Sequence, residues 1–330
     1  MGLQQRIGGR VLITGGTGFI GSALARRLLS EDVGVDILTR NREKVRDQFG
    51  GQVRAVQALG EIDHDGQLEP PRVIVNLAGK NLGAQRWNER VKRELVESRV
   101  ATTRHVVEYI RDASQRPELL ISGSAVGYYG ARGSEVLDES SPPGDEFQSH
   151  LCEEWEETAL AAANYGVRVC LSRTGIVLGP GGGILGQLAP LFRKGLGAIV
   201  GSGRQWVSWI ALDDLIALFI DFMTDRSVSG AFNNTAPEPV PHREFAKTLG
   251  DVVNRPVLLR VPGPVLRVAM GGMARLQLTG QRAVPQRHIE RGFAFRYDEL
   301  RPALVAALRS EPESAHRSND RSSAIWHRGQ

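Results

Sequence analysis

The 330-residue sequence predicts an α/β protein, built on a doubly wound parallel sheet with a smaller, mostly helical C-terminal substrate region. Short β-branched runs alternate with segments of helical period through the first 180 residues, which is typical of a parallel sheet covered on both faces. A glycine-rich turn follows the first apolar run and opens a helix. Beyond residue 180 the pattern changes to shorter, mainly helical pieces. Together these features predict a Rossmann-type sheet.

The elements of the first part follow one another in regular order. The expected strands are Arg10–Thr14, Val33–Thr39, a weaker Val53–Gln57, Val73–Leu77, Leu119–Ser122 and Val167–Arg173. The expected helices are Phe19–Ser30, Trp87–Asp112 and Glu146–Ala163. In the first helix, Ile20, Leu24 and Leu28 recur at helical spacing. We therefore assign residues 1–180 to a dinucleotide-binding Rossmann domain.

The second part opens with a glycine-rich loop, Gly179–Gly183. The expected elements after it are the helices Asp213–Asp225, His242–Val253 and Asp298–Leu308 and the strands Ala231–Thr235 and Pro256–Arg260. We assign residues 181–309 to a substrate-side region and C-terminal domain, with some later segments able to return to the first domain. Residues 310–330 contain few apolar side chains, which predicts a disordered tail.

Composition and charge exclude several classes of protein. The 41 lysines and arginines against 37 aspartates and glutamates give a net charge of only +4, without a basic run, so we expect no nucleic-acid partner. Cys152 and Cys170 lack metal-ligand spacing, so we expect no metal and a reducing compartment. Because the N-terminus lacks an apolar signal segment and acidic residues interrupt Trp209–Met223, we expect a cytoplasmic protein without a membrane partner.

The spacing Gly15-x-x-Gly18-x-x-Gly21 predicts a phosphate-binding loop. Gly15 permits the tight turn, Gly18 lets a pyrophosphate approach the backbone, and Gly21 lets the helix pack closely on the strand. The N-terminus of the helix then offers free N–H groups and a partial positive charge to an anion. The loop therefore predicts a dinucleotide cofactor.

The end of the second strand predicts which nicotinamide cofactor is bound. NAD-binding sites place a carboxylate there for the ribose 2′-hydroxyl, whereas a basic residue suits the 2′-phosphate of NADP. Arg40 occupies this position, and Asp36 is expected too early, inside the strand. The sequence therefore favours NADPH over NADH, and the alternative is that Arg40 is only a solvated loop charge.

Four motifs together resemble those of the extended short-chain dehydrogenase/reductases. They are Thr14–Gly21, Asn76–Gly79, Ser122–Gly130 and Arg173–Gly179. The chain is more closely similar to an atypical branch, the NAD-dependent epimerase/dehydratase-like or nucleoside-diphosphate-sugar epimerase-like proteins, which carry a short C-terminal domain. The further segments that resemble this branch are Gln85–Asn88, Glu97–Arg99, Ser141–Gly144, Cys152–Glu156, Gly203–Trp209, Asn234–Pro237 and Gly280–Arg282.

This resemblance implies a set of cofactor contacts. Those implied at the pyrophosphate are Gly15, Thr17, Gly18, Phe19, Ile20 and Gly21. Arg40 is implied at the adenosine ribose or its phosphate. The residues implied along the adenine-ribose side are Leu77, Ala78 and Gly79, and those near the nicotinamide are Ser122 and Thr174.

The proton-transfer pair of the superfamily, Tyr-x-x-x-Lys, is absent. None of the five tyrosines has a lysine four residues later, and Phe147 and Leu151 fall near the two expected positions. Ser124, Tyr128 and Tyr129 are the candidate catalytic replacements. The alternatives are that Ser124 caps its loop and that both tyrosine rings only wall the pocket.

A second candidate site lies before the helix at Asp213. Arg204, Trp206 and Trp209 are expected to hold an anionic or ring-bearing small-molecule substrate. The leading hypothesis is an NADP(H)-dependent oxidoreductase or epimerase-like enzyme, monomeric or homodimeric, acting on an unidentified small molecule. One alternative is a cofactor-binding sensor or scaffold without turnover, and another is a nucleotide-sugar epimerase.

Overall fold

A computed structural model describes residues 2–63, 68–83 and 85–309 of the chain, and the tail expected over 310–330 lies outside these residues. Seven of the described strands form one sheet in the order β3-β2-β1-β4-β5-β6-β7, and every neighbouring pair is parallel. These strands are β1 (Arg10–Thr14), β2 (Val35–Leu38), β3 (Arg54–Val56), β4 (Pro71–Asn76), β5 (Leu119–Ala125), β6 (Arg168–Thr174) and β7 (Gly230–Asn234). The expected fold class is confirmed.

Helices cover both faces of the sheet and build most of the C-terminal region. Those of the described chain are α1 (Leu3–Ile7), α2 (Phe19–Leu29), α3 (Arg42–Phe49), α4 (Gly60–Asp63), α5 (Glu89–Asp112), α6 (Phe147–Leu160), α7 (Gly183–Arg193), α8 (Leu212–Thr224), α9 (His242–Val252), α10 (Gly263–Met270), α11 (Ala274–Leu278), α12 (Gln286–Glu290) and α13 (Leu300–Arg309). Two 3₁₀ helices span Val126–Tyr129 and Ala161–Tyr165. The described helices include none that is both long and apolar enough to cross a membrane.

Short two-stranded pairs complete the described structure. Three are parallel pairs, namely Val136–Leu137 with Arg282–Ala283, Ile176–Leu178 with Trp209–Ala211, and Ala198–Val200 with Leu259–Val261. The fourth, Trp206–Val207 with Val240–Pro241, is antiparallel. The first pair ties the C-terminal domain to the loop after β5, so this domain packs at the carboxyl edge of the large sheet.

The core follows from the alternation of side chains along buried strands. In β1, Val11 and Ile13 point to the face covered by α2 and α8, whereas Leu12 points to the opposite face with α5. All three side chains are fully buried. A separate cluster around Trp209 forms the core of the C-terminal region. The two layers hold the carboxyl ends of the strands in one row, which is where parallel sheets bind ligands.

Some elements differ from the sequence-based expectations. Helix α3 was not predicted, and the Asn41 side chain caps it by accepting a hydrogen bond from the Lys44 backbone N–H. Strand β5 continues to Ala125, three residues beyond its expected end at Ser122. Strand β7 lies beyond residue 180 yet pairs with β6 in the large sheet.

Candidate functional site

The phosphate loop is a tight turn between β1 and α2. Gly15 has a φ of +70°, and a Cβ atom there would lie 2.8 Å from the Leu77 carbonyl oxygen. A Cβ on Gly21 would overlap the Gly15 carbonyl oxygen. The Gly18 N–H donates to the same oxygen at 2.9 Å. Side chains are therefore excluded from the two outer glycine positions by backbone contact.

The N-terminus of α2 is left open by the chain itself. Gly18 is the N-cap residue and provides no side-chain hydrogen bond, and the first turn carries no acidic residue. Phe19, Ile20 and Gly21 therefore begin the helix with backbone N–H groups that have no intrahelical acceptor. Thr17 and Phe19 are partly exposed beside this end. This cradle has the shape and the polarity that suit a pyrophosphate.

A second glycine loop covers the first, a contact that the sequence analysis missed. A Cβ atom on Gly182 would overlap the Phe19 ring, and one on Gly179 would lie 3.0 Å from its Cζ atom. The Phe19 ring therefore packs under the loop that follows Ile176–Leu178. The conspicuous run of glycines in this loop was a usable signal, because close approach of a ring is a common reason for such a run.

The end of β2 shows different environments for the acidic candidate, Asp36, and the basic candidate, Arg40. Asp36 is fully buried inside the strand and accepts hydrogen bonds from Arg10 Nη2 and Arg54 Nη2, each at 2.6 Å. It is therefore committed to an internal ion-pair cluster and does not face a ribose. Arg40 is exposed, and within the described residues it has no ion-pair partner. At the end of β2 the acidic candidate is therefore paired internally, whereas the basic candidate Arg40 has no ion pair among the described residues.

The segment after β4 is fastened next to the phosphate loop. Thr14 Oγ1 donates to Asn76 Oδ1 at 2.7 Å and accepts from the Ala78 N–H at 3.0 Å. Because Leu77 also touches Gly15, the structure brings the predicted segments 15–21 and 77–79 together at neighbouring strand ends. The cofactor contacts themselves stay predictions.

Five buried side chains form a continuous polar chain at the ends of β5, β6 and β7. Ser124 Oγ donates to Glu156 Oε1 at 2.6 Å, and Arg173 binds both Glu156 oxygens at 2.8 Å. Arg173 Nη1 also donates to the Tyr129 hydroxyl at 3.0 Å, and that hydroxyl donates to Asn233 Oδ1 at 2.7 Å. We call this set the buried polar chain. The sequence analysis assigned no role to its Glu156, Arg173 and Asn233.

The buried polar chain changes the interpretation of the three catalytic candidates. Tyr129 is fully buried, and burial raises the pKa of its hydroxyl to about 12. The structure therefore encloses the Tyr129 hydroxyl between Arg173 and Asn233, and its catalytic role stays a prediction. Ser124 is 6% exposed, and its hydroxyl proton is committed to Glu156. Tyr128 is only partly buried, and its ring lies 3.5 Å from the Arg173 guanidinium carbon.

The positions near the absent Tyr-Lys pair lie in apolar surroundings. Phe147 begins α6 and meets the Trp87 ring edge-on, with centroids 5.2 Å apart. Leu151 is buried one turn later. Neither side chain has a proton to transfer, so the structure adds no acid–base group at these two positions.

Ser122 and Thr174 were both expected near the nicotinamide, and the structure separates them. Ser122 is fully buried inside β5, because the strand runs on to Ala125. Its hydroxyl donates to the Gly123 carbonyl at 3.4 Å, so its expected contact with the cofactor is not supported. Thr174 ends β6 in register with Ala125 and stays partly exposed at the carboxyl edge.

The expected substrate group of Arg204, Trp206 and Trp209 is not assembled. Trp209 is fully buried in the C-terminal core, and its indole N–H donates to the Glu238 carbonyl at 3.0 Å. The structure therefore places Trp209 inside this core and away from the other two residues, and a contact with substrate stays a prediction. Arg204 is exposed, and Trp206 is partly exposed with the Arg282 guanidinium 4.4 Å above its ring. Arg282 is thus the cation that stacks on Trp206.

Two family models match successive parts of the chain. Residues 11–233 match the NAD dependent epimerase/dehydratase family, and residues 261–307 match a domain of unknown function, DUF1731. The chain is 40% identical over 301 residues to the chloroplastic epimerase family protein SDR39U1 homolog of Arabidopsis thaliana, covering 90% of this chain and 86% of that protein. It is 34% identical over 299 residues to human epimerase family protein SDR39U1, covering 89% and 98% respectively.

Solved structures agree with these matches. The human SDR39U1 structure with NADPH has a TM-score of 0.82 at 33% identity and covers 91% of this chain and 99% of that one. The UDP-glucose 4-epimerase of Thermotoga maritima with UDP-glucose has a TM-score of 0.73 at 18% identity, covering 90% and 97%, and shows the shared fold alone. The family resemblance inferred from the motifs is thereby confirmed. The chain belongs to the NAD dependent epimerase/dehydratase family and carries a DUF1731 domain in its C-terminal part.

Proposed function

We propose that the chain binds NADP(H) along the carboxyl edge of the sheet and prefers it to NAD(H). The observation that carries this proposal is the pattern of ion pairs at the end of β2. Asp36 is paired with Arg10 and Arg54. Arg40 has no ion pair among the described residues. An uncommitted guanidinium suits a 2′-phosphate, whereas the paired Asp36 carboxylate is not available to a ribose hydroxyl. The NADPH in the human SDR39U1 structure supports the same cofactor.

The residues that would hold the cofactor are those of the phosphate loop, Arg40 and the segment 77–79. A nicotinamide bound there supplies hydride transfer to or from carbon. The chain must then supply a proton to the substrate oxygen, and we propose Tyr128 for that role because it is the only one of the three candidates that is partly exposed. Burial raises the pKa of Tyr128, so its phenol stays protonated at neutral pH, which suits reduction of a carbonyl group.

The proposed activity is therefore that of an oxidoreductase or epimerase-like enzyme on an unidentified small molecule. A catalytically silent sensor or scaffold is a second candidate, favoured by the closed hydrogen bonds of Ser124 and Tyr129. The nucleotide-sugar epimerase hypothesis has less support, because Arg204 and Trp209 do not come together at one site.

Calorimetric titration with NADPH and NADH tests the cofactor proposal. We expect NADPH to bind at least about tenfold more tightly, and Arg40→Ser to remove most of that preference with little effect on NADH. Arg42→Ser is the matched control, because Arg42 is a nearby exposed arginine paired with Glu61. Equal affinity for both cofactors contradicts the Arg40 assignment, and absence of binding contradicts the site.

A screen of carbonyl compounds then separates the two functional candidates. Oxidation of bound NADPH by any compound in the screen, lost in Tyr128→Phe with NADPH affinity retained, supports the enzyme. Tight NADPH binding without turnover across the screen supports the sensor.

A further inference from the structure

The C-terminal domain contains a helical segment that is fixed at both ends to the C-terminal region. Residues 263–278, which hold α10 and α11, form this segment, and we call it the strap. Just before the strap, Leu259–Val261 pairs with Ala198–Val200. Just after it, a Cβ atom on Gly280 would overlap the Trp206 carbonyl oxygen, so the two backbones are in close contact.

The middle of the strap contacts the sheet domain at Trp87, shortly before α5. Gly271 forms an isolated parallel bridge with Trp87, and a Cβ atom on Gly272 would lie 3.6 Å from the Trp87 Cβ atom. The Trp87 side chain is buried, and Met273 and Leu276 of the strap pack against the apolar cluster around it. We call the contact of Trp87 with Met273 and Leu276 the latch.

A second contact joins the strap to the start of α6. Arg275 forms an ion pair with Glu146 at 2.6 Å, and Glu146 also accepts a hydrogen bond from the Ala131 N–H, in the chain after β5. Phe147 meets the Trp87 ring edge-on and packs in the same apolar cluster. The strap therefore contacts the chain after β4 and the chain after β5 at once.

These two stretches of chain follow neighbouring strands at the edge where a dinucleotide would bind. The strand order reverses at β1, which has β2 on one side and β4 on the other, and doubly wound sheets bind dinucleotides in the crevice at such a point. Leu77, at the start of the chain after β4, touches Gly15 of the phosphate loop. The same stretch of chain thus lines the crevice at Leu77 and meets the strap at Trp87.

Along α10 the strap is weakly held. Within this helix only Leu266 is buried, whereas Val265 and Val268 are 55% and 77% exposed. Gly271, with a φ of +60°, ends α10 at the contact with Trp87. Because segments that bury few apolar side chains open at low free-energy cost, the latch is the main contact that must break when the strap lifts.

We infer that the strap is a gate over the cofactor crevice, and that NADP(H) enters and leaves when the latch opens. The inference rests on the proposed NADP(H) site. It gives the first part of the domain of unknown function, matched at residues 261–307, a role in cofactor exchange. A gate that closes over both the free and the loaded protein changes the association and dissociation rates together, and it changes the dissociation constant much less.

A reversible disulfide tests the gate. In the double variant Trp87→Cys/Gly272→Cys, the Cβ separation of 3.6 Å suits a disulfide, and the native Cys152 and Cys170 are buried and do not compete. Stopped-flow fluorescence measures NADPH uptake, and displacement by excess NADP⁺ measures its release. Protein oxidised before loading should take up NADPH at least about tenfold more slowly than the same protein after reduction. Protein oxidised after loading should release it more slowly by a similar factor.

Gly272→Cys alone is the matched control, and oxidation or reduction should leave both of its rates unchanged. A milder variant decides the question if the double variant does not fold. Met273→Ala shortens a partly exposed side chain of the latch and should raise both rates by about fivefold, with a change in the dissociation constant below about twofold. Val268→Ala, at an exposed position of α10, is its control and should leave both rates unchanged.

The outcomes separate the gate from the cofactor site. Oxidised double variant that exchanges NADPH as fast as its reduced form overturns the inference and leaves the cofactor site standing. Unchanged rates in Met273→Ala overturn the inference as well, and so does a weaker dissociation constant with an unchanged association rate, because the latch then only supports the site. Absence of NADPH binding to the wild type overturns the proposed site and the inference with it.

Discussion

Around the phosphate loop the chain leaves polar groups without internal partners, whereas at the ends of β5, β6 and β7 it bonds them to one another. The N-terminus of α2 has no side-chain cap, and Arg40 has no ion pair within the described residues. On the other side, Ser124, Glu156 and Arg173 are joined by hydrogen bonds of 2.6–2.8 Å. We call the side around the phosphate loop and Arg40 the open half of the sheet edge, and the side at the ends of β5, β6 and β7 the closed half.

This contrast indicates which half of the sheet edge is preorganised for binding a ligand. The donors of the open half have no internal partners and can bond to an anion directly. Binding a cofactor there therefore breaks few internal hydrogen bonds. The donors of the closed half must break internal hydrogen bonds before they can bond to a substrate. This costs free energy, because a buried polar group is left without a partner. The hydrogen bonds of the closed half therefore serve mainly to stabilise the fold. Tyr128, beside this half, is partly exposed.

The largest expected effect comes from breaking the closed half. Glu156→Gln leaves the Arg173 charge buried without a counter-charge, so we expect a loss of about 3–5 kcal/mol in the free energy of unfolding. Denaturant unfolding measures it. Glu31→Gln, in the exposed Arg27–Glu31 pair, is the control and should change the free energy of unfolding little. A loss below about 1 kcal/mol for Glu156→Gln would show that the pair is not a structural anchor.

The second-largest expected effect is a loss of cofactor affinity on altering the open half. Gly21→Ala places a methyl group against the Gly15 carbonyl oxygen, which must displace the turn, so we expect NADPH affinity to fall by about a hundredfold or more. Gly186→Ala in α7 is the matched control, because its Cβ meets no atom within 4 Å. That control should raise the free energy of unfolding by about 0.5–1 kcal/mol and leave binding unchanged. Unaltered NADPH affinity in Gly21→Ala would contradict the cradle.

The open half was largely predictable from sequence because its determinants are local. The strand, the glycine spacing and the helix follow one another directly between Arg10 and Leu29, so Gly15, Gly18 and Gly21 could be interpreted without tertiary contacts. Asp36 could likewise be placed inside its strand from the position of the apolar residues around it, and the structure buries it there.

The closed half was not predictable because its partners are far apart in the chain. Tyr129 and Asn233 are 104 residues apart, and only the return of β7 to the sheet brings them together. Periodicity assigns a side chain to a face of an element but does not say what lies opposite that face. Trp209 shows the same limit, since an aromatic residue in a motif fits a core as well as a ligand site.

The smallest expected effect separates the two adjacent tyrosines. Tyr129→Phe removes a hydroxyl that links Arg173 to Asn233, so we expect a loss of about 1–2 kcal/mol in the free energy of unfolding with NADPH affinity retained. Tyr128→Phe removes a hydroxyl from a partly exposed ring beside the closed half and should cost less stability.

The pair is informative because the two rings meet edge-on, with centroids 5.3 Å apart, and share one arginine. If Tyr128→Phe destabilises the fold as much as Tyr129→Phe, both hydroxyls belong to the closed half. Tyr128 then loses its proposed role as proton donor. If Tyr128→Phe costs little stability but abolishes turnover, the boundary between the two halves lies between these two consecutive residues. The proton transfer is then assigned to Tyr128, the partly exposed one.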